Sequence, residues 1–170
     1  MPVNLELKIK VESHTKLKRI LFQIKAGRKG ILNQEDIYYK VKNGLLKLRT
    51  ENGNETLIFY RREEKKSNRW SDYHLLEFKN GVGRKFFNRA FETEVIVKKK
   101  RELFVYDNTR IHLDTVKNLG MFLELETLVI NGKADAKKRF TKIIKLLGLD
   151  SSKEIRKSYR DLLLELKMSK

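Results

Sequence analysis

The chain opens on an alternation, with Leu5, Leu7, Ile9 and Val11 on one face and Asn4, Glu6, Lys8 and Lys10 on the other. A period of two predicts a half-buried strand. Ser13 can cap a helix in which Leu17, Ile20, Leu21 and Ile24 recur at i, i+3, i+4 and i+7, with Gly27 fitting its end. Strands are then expected over 36–42, 45–50 and 56–62, joined at Asn43-Gly44 and Asn52-Gly53. Asn-Gly between alternating segments is a strong hairpin signal, because both residues tolerate positive φ. Another strand fits 71–78, and a short helix fits 82–92 with Val82, Phe86 and Ala90 facing inward. Strands over 94–106 and 109–114 flank an Asp107-Asn108 turn, and 121–130 completes the set. Two amphipathic helices close the chain. One spans 134–147 and stops at Gly148; the other spans 152–167, with Ser151-x-x-Glu154 as its capping box.

About eight short strands with tight turns and few helices predict a single α+β domain over residues 1–170. The expected architecture is a closed or nearly closed eight-stranded antiparallel β-barrel with flanking helices. Cysteine is absent, so no disulfide framework or thiolate metal site is available. No apolar run approaches the roughly 18 residues of a membrane helix, and the charged N-terminus does not resemble a signal peptide. A soluble, cytoplasmic protein is expected, with no membrane partner. Lys plus Arg number 39 against 22 Asp plus Glu, a formal net charge of +17. Such an excess predicts an anionic partner without naming it.

The alternating polar face narrows the choice, because it is repeatedly ionic. It carries Glu6, Lys8 and Lys10, then Lys40, Lys47, Arg49 and Arg62, then Lys99 and Arg101, then Arg110, His112 and Asp114, then Glu124 and Glu126. Taken singly, each belongs on a solvated surface, and His112 alone would be a satisfied core histidine. The recurrence in most strands suggests instead an ionic barrel lumen, with the helices covering apolar outer faces. Cations converging there would repel one another unless a polyanion neutralised them. Glu124 and Glu126, at i and i+2 on one strand, share a face and can hold a hard cation such as Mg²⁺ or Mn²⁺, with Glu6 adding a ligand from another strand.

At these residues the sequence resembles the CYTH superfamily, which groups class IV adenylyl cyclases with thiamine and inorganic triphosphatases. Its Glu-x-Glu-x-Lys signature is met by Asn4-Leu5-Glu6-Leu7-Lys8, with Asn in place of the first Glu. More specific is Arg110-Ile111-His112-Leu113-Asp114-Thr115-Val116, followed by Leu119-Gly120-x-Phe122-Leu123-Glu124-Leu125-Glu126, which is similar to the cyclase-like branch. Asp36-x-Tyr38, Gly44-x-Leu46-Lys47-Leu48-Arg49 and Ser158-Tyr159-x-x-Leu162-Leu163 add to the likeness, which runs from residue 4 to residue 163. The resemblance implies an antiparallel tunnel in which Lys8, Lys47, Arg49, Arg62, Lys99 and Arg101 bind a triphosphate. Lys10, Lys40 and Arg110, on the same ionic faces, join that set. Glu6, Glu124 and Glu126 are implied to carry Mg²⁺ or Mn²⁺, with Asp114 nearby. Asn4 predicts weaker metal binding or an altered metal number. Asp114 and His112 are the candidates for catalysis.

Three activities are compatible with this reading. The first is metal-dependent hydrolysis of a triphosphate-bearing substrate such as ATP, tripolyphosphate or thiamine triphosphate. The second is a class IV cyclase making cyclic AMP and pyrophosphate from ATP. The third is a non-catalytic binder of triphosphate, polyphosphate or nucleic-acid ends, which the lumen carboxylates disfavour. For general nucleic-acid binding the only local hint is Trp70 and Tyr73 near Lys65, Lys66 and Arg69, and a solvated loop explains it better. Lys137, Lys138, Lys142 and Lys145 read as a solvated helix face. A homodimer is suggested by analogy alone.

Overall fold

The computed structural model describes residues 3–62, 69–79 and 81–169, with the side chains of 62 and 69–72 outside the description. Eight strands form one antiparallel, strongly curled sheet: β1 Val3–Val11, β2 Gly27–Tyr39, β3 Leu45–Glu51, β4 Asn54–Arg62, β5 Arg69–Phe78, β6 Thr93–Tyr106, β7 Thr109–Val116 and β8 Gly120–Leu128. Their order around the barrel is β1-β5-β4-β3-β2-β6-β7-β8, and β1 also pairs with β8. The β1–β5 seam is short, running only from Val3↔Asp72 to Glu6↔Arg69. Beyond it the chain's own C-terminal segment takes over: Ile155 N–H donates to the Lys8 carbonyl at 2.8 Å.

The sheet's outer face is covered by helices α1 Thr15–Gln23 and α3 Lys133–Leu147. Leu17, Leu21, Ile143 and Leu147 bury against Leu7, Ile9, Phe104, Ile111, Leu123 and Leu125. Full burial of such a side chain contributes roughly 1.5–3 kcal/mol, so these helices are held by packing more than by intrinsic propensity. Helix α2 Val82–Ala90 covers β2 and β3 through Phe87, which meets Ile37, Tyr39, Leu46 and Leu48. Helix α4 Tyr159–Met168 instead packs Tyr159 and Leu163 against Val95, Val97, Val116 and Phe122 on the inward face, at one end of the barrel. Among the described residues no helix is long and apolar enough to cross a membrane.

Several turns follow the sequence directly. Asn52 and Gly53 have φ of 51° and 81°, and Asp107 and Asn108 have φ of 48° and 56°, as two-residue hairpin turns require. Gly148 ends α3 in the left-handed region, at φ 62°. Other expectations are corrected. Helix α1 ends at Gln23, and Lys25, not Gly27, takes the left-handed φ of 56° that follows it. Strand β2 begins at Gly27 and stops at Tyr39, after a register shift between Tyr38 and Tyr39. The link to β3 is therefore five residues, 40–44, longer than an Asn-Gly turn.

Helix α2 faces inward with Gly83 and Phe87, leaving Val82, Phe86 and Ala90 exposed. A Cβ on Gly83 would lie 2.9 Å from Glu55 Oε2 and 3.1 Å from the Phe78 ring, so glycine lets α2 approach β4 and β5 without displacing either side chain. The last helix does not start at 152. Ser151–Lys153 is a single 3₁₀ turn, residues 154–158 run without helix, and the capping box is Ser158-x-x-Asp161.

Candidate functional site

Strand periodicity turns one row from each strand into the barrel, and on β1, β3, β6, β7 and β8 that row carries charged side chains. The lumen encloses about 840 Å³, within the roughly 300–1,000 Å³ of small-molecule sites. Lys8, Lys47, Arg49, Lys99, Arg101 and Arg110 line it together with Glu6, Glu124, Glu126 and His112. A second sector, on β4 and β5, is less charged and carries Ile58, Tyr60, Tyr73 and Leu75.

Asp36 on β2 organises the cations of the two strands beside it, β3 and β6. Its Oδ2 accepts from Lys47 Nζ at 2.8 Å, Arg49 Nη2 at 2.8 Å and Lys99 Nζ at 2.9 Å, and its Oδ1 accepts from Arg49 Nε at 2.7 Å. Register explains the meeting, because Asp36 pairs directly with Arg49, while Tyr38 and Gln34, two residues either side of it on the same face, pair with Lys47 and Lys99. Burial alone would raise the Asp36 pKa, but Arg49, Lys47 and Lys99 prevail and hold it well below the usual carboxylate range. The reverse pressure acts on the lysines. Burial and then Arg49 push Lys47 well below 10.5, and burial pushes Lys99 down although Asp36 opposes it. Three cations share one carboxylate, and the uncompensated charge favours an incoming anion.

A second group lies across β6, β7 and β8. Arg101 makes two bonds to Asp114, at 2.7 and 2.6 Å, and a third to Glu124 at 2.6 Å. Tyr159, delivered by the Ser158 cap at the start of α4, donates to Asp114 Oδ2 at 2.9 Å. Lys8 lies 3.1 Å from Glu124 and 4.2 Å over the Tyr159 ring, and donates to the Lys157 carbonyl at 2.9 Å. Asp114 is wholly buried, and burial's upward push on its pKa is outweighed by Arg101. Glu124 is also held well down, because Lys8 and Arg101 outweigh its burial.

The third group offers ligand atoms. One atom each from His112, Glu124 and Glu126 lies within 4.8 Å of the others. Glu126 is held by Arg110 at 2.8 Å, and Glu6 sits opposite it on β1. Burial would raise the Glu126 pKa, yet His112, Arg110 and Arg101 bring it to about 2. His112 falls to about 4, by burial first and Arg101 second. The ring is therefore neutral at pH 7 and takes up a proton only in acid, before Glu126 does. The Asn4 Oδ1 and the His112 Nδ1 are buried without a hydrogen-bond partner. Two carboxylates and a neutral imidazole with an unpaired ring nitrogen form a donor set that suits a divalent cation.

Six of the nine expected phosphate-binding cations thus share the lumen. Lys40 does not: with β2 ended at Tyr39, it is exposed and pairs with Glu92. Lys10 follows Lys8 on β1 but is exposed, 5.9 Å from the Phe122 ring. Arg62 ends β4, with its side chain outside the described residues, as are the side chains of Arg69 and Trp70 and all of Lys65 and Lys66. Sequence reasoning missed the hub role of Asp36 and the Tyr159–Asp114 bond. Asp36 alternates with Ile37 on an ordinary strand, and no local signal marks a residue that gathers cations from other strands.

The CYTH domain profile matches residues 3–159. A candidate adenylate cyclase of Methanocaldococcus jannaschii is 29% identical, covering 94% of this chain and 98% of its own. A Pyrococcus horikoshii OT3 protein superposes with a TM-score of 0.78 at 24% identity, over 94% of this chain and 98% of that one. A candidate adenylyl cyclase from Hippeastrum, described as having a dominant triphosphatase activity, gives 0.75 at 12% identity over 97% and 96% of the two chains.

Proposed function

The chain belongs to the CYTH domain family, and on that premise we propose that it hydrolyses a phosphoanhydride bond of a triphosphate-bearing substrate with a divalent cation. One observation carries this reading: six cations from four strands converge in a single lumen that also holds the carboxylates Glu6, Glu124 and Glu126. A site for anions alone gains nothing from those acids.

Lys47, Arg49 and Lys99 share Asp36, and their surplus charge draws in the phosphate chain. Arg101, fixed in plane by Asp114, presents its guanidinium to the charge that builds on a phosphoryl oxygen. Asp114 itself is a positioning residue, since its oxygens are taken by Arg101 and Tyr159 and its pKa is low. A divalent cation on Glu6, Glu124 and Glu126 would screen these acids from the phosphates and withdraw charge from the reacting group. Lys8 holds Glu124 and the C-terminal segment in one arrangement, so that wall of the lumen is preorganised.

A nucleotide cyclase is the second reading. The Ile58, Tyr60, Tyr73 and Leu75 sector favours it, because it could seat an organic group beyond the phosphates. A product assay with ATP, tripolyphosphate and thiamine triphosphate, each with Mg²⁺ or Mn²⁺, tests both. Metal-dependent orthophosphate release supports the hydrolase, and cyclic AMP with pyrophosphate supports the cyclase. Tight binding without turnover of any of the three would refute both.

A further inference from the structure

Resting on that reading, we infer that His112 is itself a metal ligand and biases the cation site toward a first-row transition ion over Mg²⁺. His112 on β7 lies directly opposite Glu124 on β8, and the inward row of β8 continues to Glu126. A ring nitrogen of His112 and one oxygen from each glutamate gather within 4.8 Å. The histidine is 3% exposed, and its Nδ1 has no hydrogen-bond partner. The nearby acid, Glu126 Oε1, is 3.7 Å away, too far for a hydrogen bond. A buried imidazole nitrogen left unpaired is costly and calls for an explanation. A cation between the ring and the two carboxylates supplies one.

The replacement at position 4 makes the ligand count matter. Asn4 brings a neutral carbonyl oxygen to the same lumen, and that oxygen is also buried and unpaired. The acidic ligands are thereby reduced to Glu6, Glu124 and Glu126, with both oxygens of Glu124 already accepting from Lys8 and Arg101. An imidazole adds a neutral nitrogen donor to these oxygens and changes the character of the set. Mg²⁺ demands hard oxygen ligands and tends to keep its waters, whereas imidazole nitrogen raises affinity along the first-row series.

Mn²⁺ is the probe, because it is paramagnetic and accepts both oxygen and nitrogen donors. Electron spin echo envelope modulation of the whole protein with one equivalent of Mn²⁺ should show ¹⁴N coupling from one imidazole. In His112→Gln the coupling should vanish, and the preference for Mn²⁺ over Mg²⁺ in competition titrations should fall at least about tenfold. Bound Mn²⁺ without nitrogen coupling in the wild-type protein would overturn the inference and leave the metal-dependent reading standing. No bound Mn²⁺, with or without tripolyphosphate, would overturn both. The wild-type spectrum decides even if the variant does not fold.

Discussion

Asp36→Asn removes one negative charge from the centre of three cations, the buried Lys47 and Lys99 and the half-buried Arg49. The side chain is 1% exposed and accepts from Lys47, Arg49 and Lys99. An amide keeps the shape, but it offers a donor where all three neighbours are donors. Breaking a buried ion pair by removing one partner costs about 3–5 kcal/mol. For a chain of this size 1 kcal/mol moves Tm by about 2–4 °C, so a loss of roughly 6–20 °C is expected without ligand. Saturating tripolyphosphate should restore the missing charge, and the variant should gain more in Tm than the wild type does. A ligand at one hundred times its Kd contributes about 2.7 kcal/mol, well within the reach of a thermal scan. Metal-free buffer keeps carboxylate–metal effects out of the comparison. A variant within about 1 kcal/mol of wild type, or one that gains less than wild type from tripolyphosphate, would refute the account of Asp36 as a stand-in for substrate charge.

Three further outcomes follow from the same geometry. Asp36, Asp114, Glu124 and Glu126 all have lowered pKa values. The stability they contribute is full above the ordinary carboxylate range and lost as pH falls through each folded value; circular dichroism against pH should show unfolding between about pH 4 and 2, and a fold unchanged below pH 2 would contradict this. Lys47 and Lys99 are pushed below 10.5, and a bound polyanion favours their charged forms. Tripolyphosphate should therefore bind with proton uptake and lose affinity as pH rises from 7 toward 10; calorimetry in buffers of different ionisation enthalpy measures this, and a pH-independent affinity would count against it. Tyr159→Phe removes a donor to a buried carboxylate and should cost about 1.5–3 kcal/mol in urea denaturation, whereas a change under 0.5 would show that the bond does not anchor α4.

The sequence displayed its period-two rows plainly, because β1, β3, β7 and β8 each have one apolar and one ionic face and those faces separate core from lumen. Asn52-Gly53 and Asp107-Asn108 announced their turns through residues that accept positive φ. What remained hidden depended on distant partners. Ser151-x-x-Glu154 and Ser158-x-x-Asp161 are equally good helix starts locally; the bond from Ile155 to Lys8 in β1 draws the first into a non-helical segment and leaves the second to cap α4. Lys40 looked like a lumen residue until the register shift at Tyr39 ended its strand. In α2 the apolar sets Val82/Phe86 and Gly83/Phe87 differ by one position, and it is the fit of Phe87 against β2 and β3 and of Gly83 against Glu55 and Phe78 that goes with the second. The hub role of Asp36 needs the register of three strands, which no single segment encodes.

The most direct test of the central claim is calorimetric titration of tripolyphosphate into the wild-type protein, Arg49→Ala, and Lys40→Ala as an exposed control, at 0.15 M salt. A lumen site predicts one triphosphate per chain, weakened by tenfold or more in Arg49→Ala, since a charge-assisted contact contributes about 1.5–3 kcal/mol, and unchanged in Lys40→Ala. Equal weakening in both variants, or several weak sites abolished by salt, would place the anion on the outer basic surface and contradict the account.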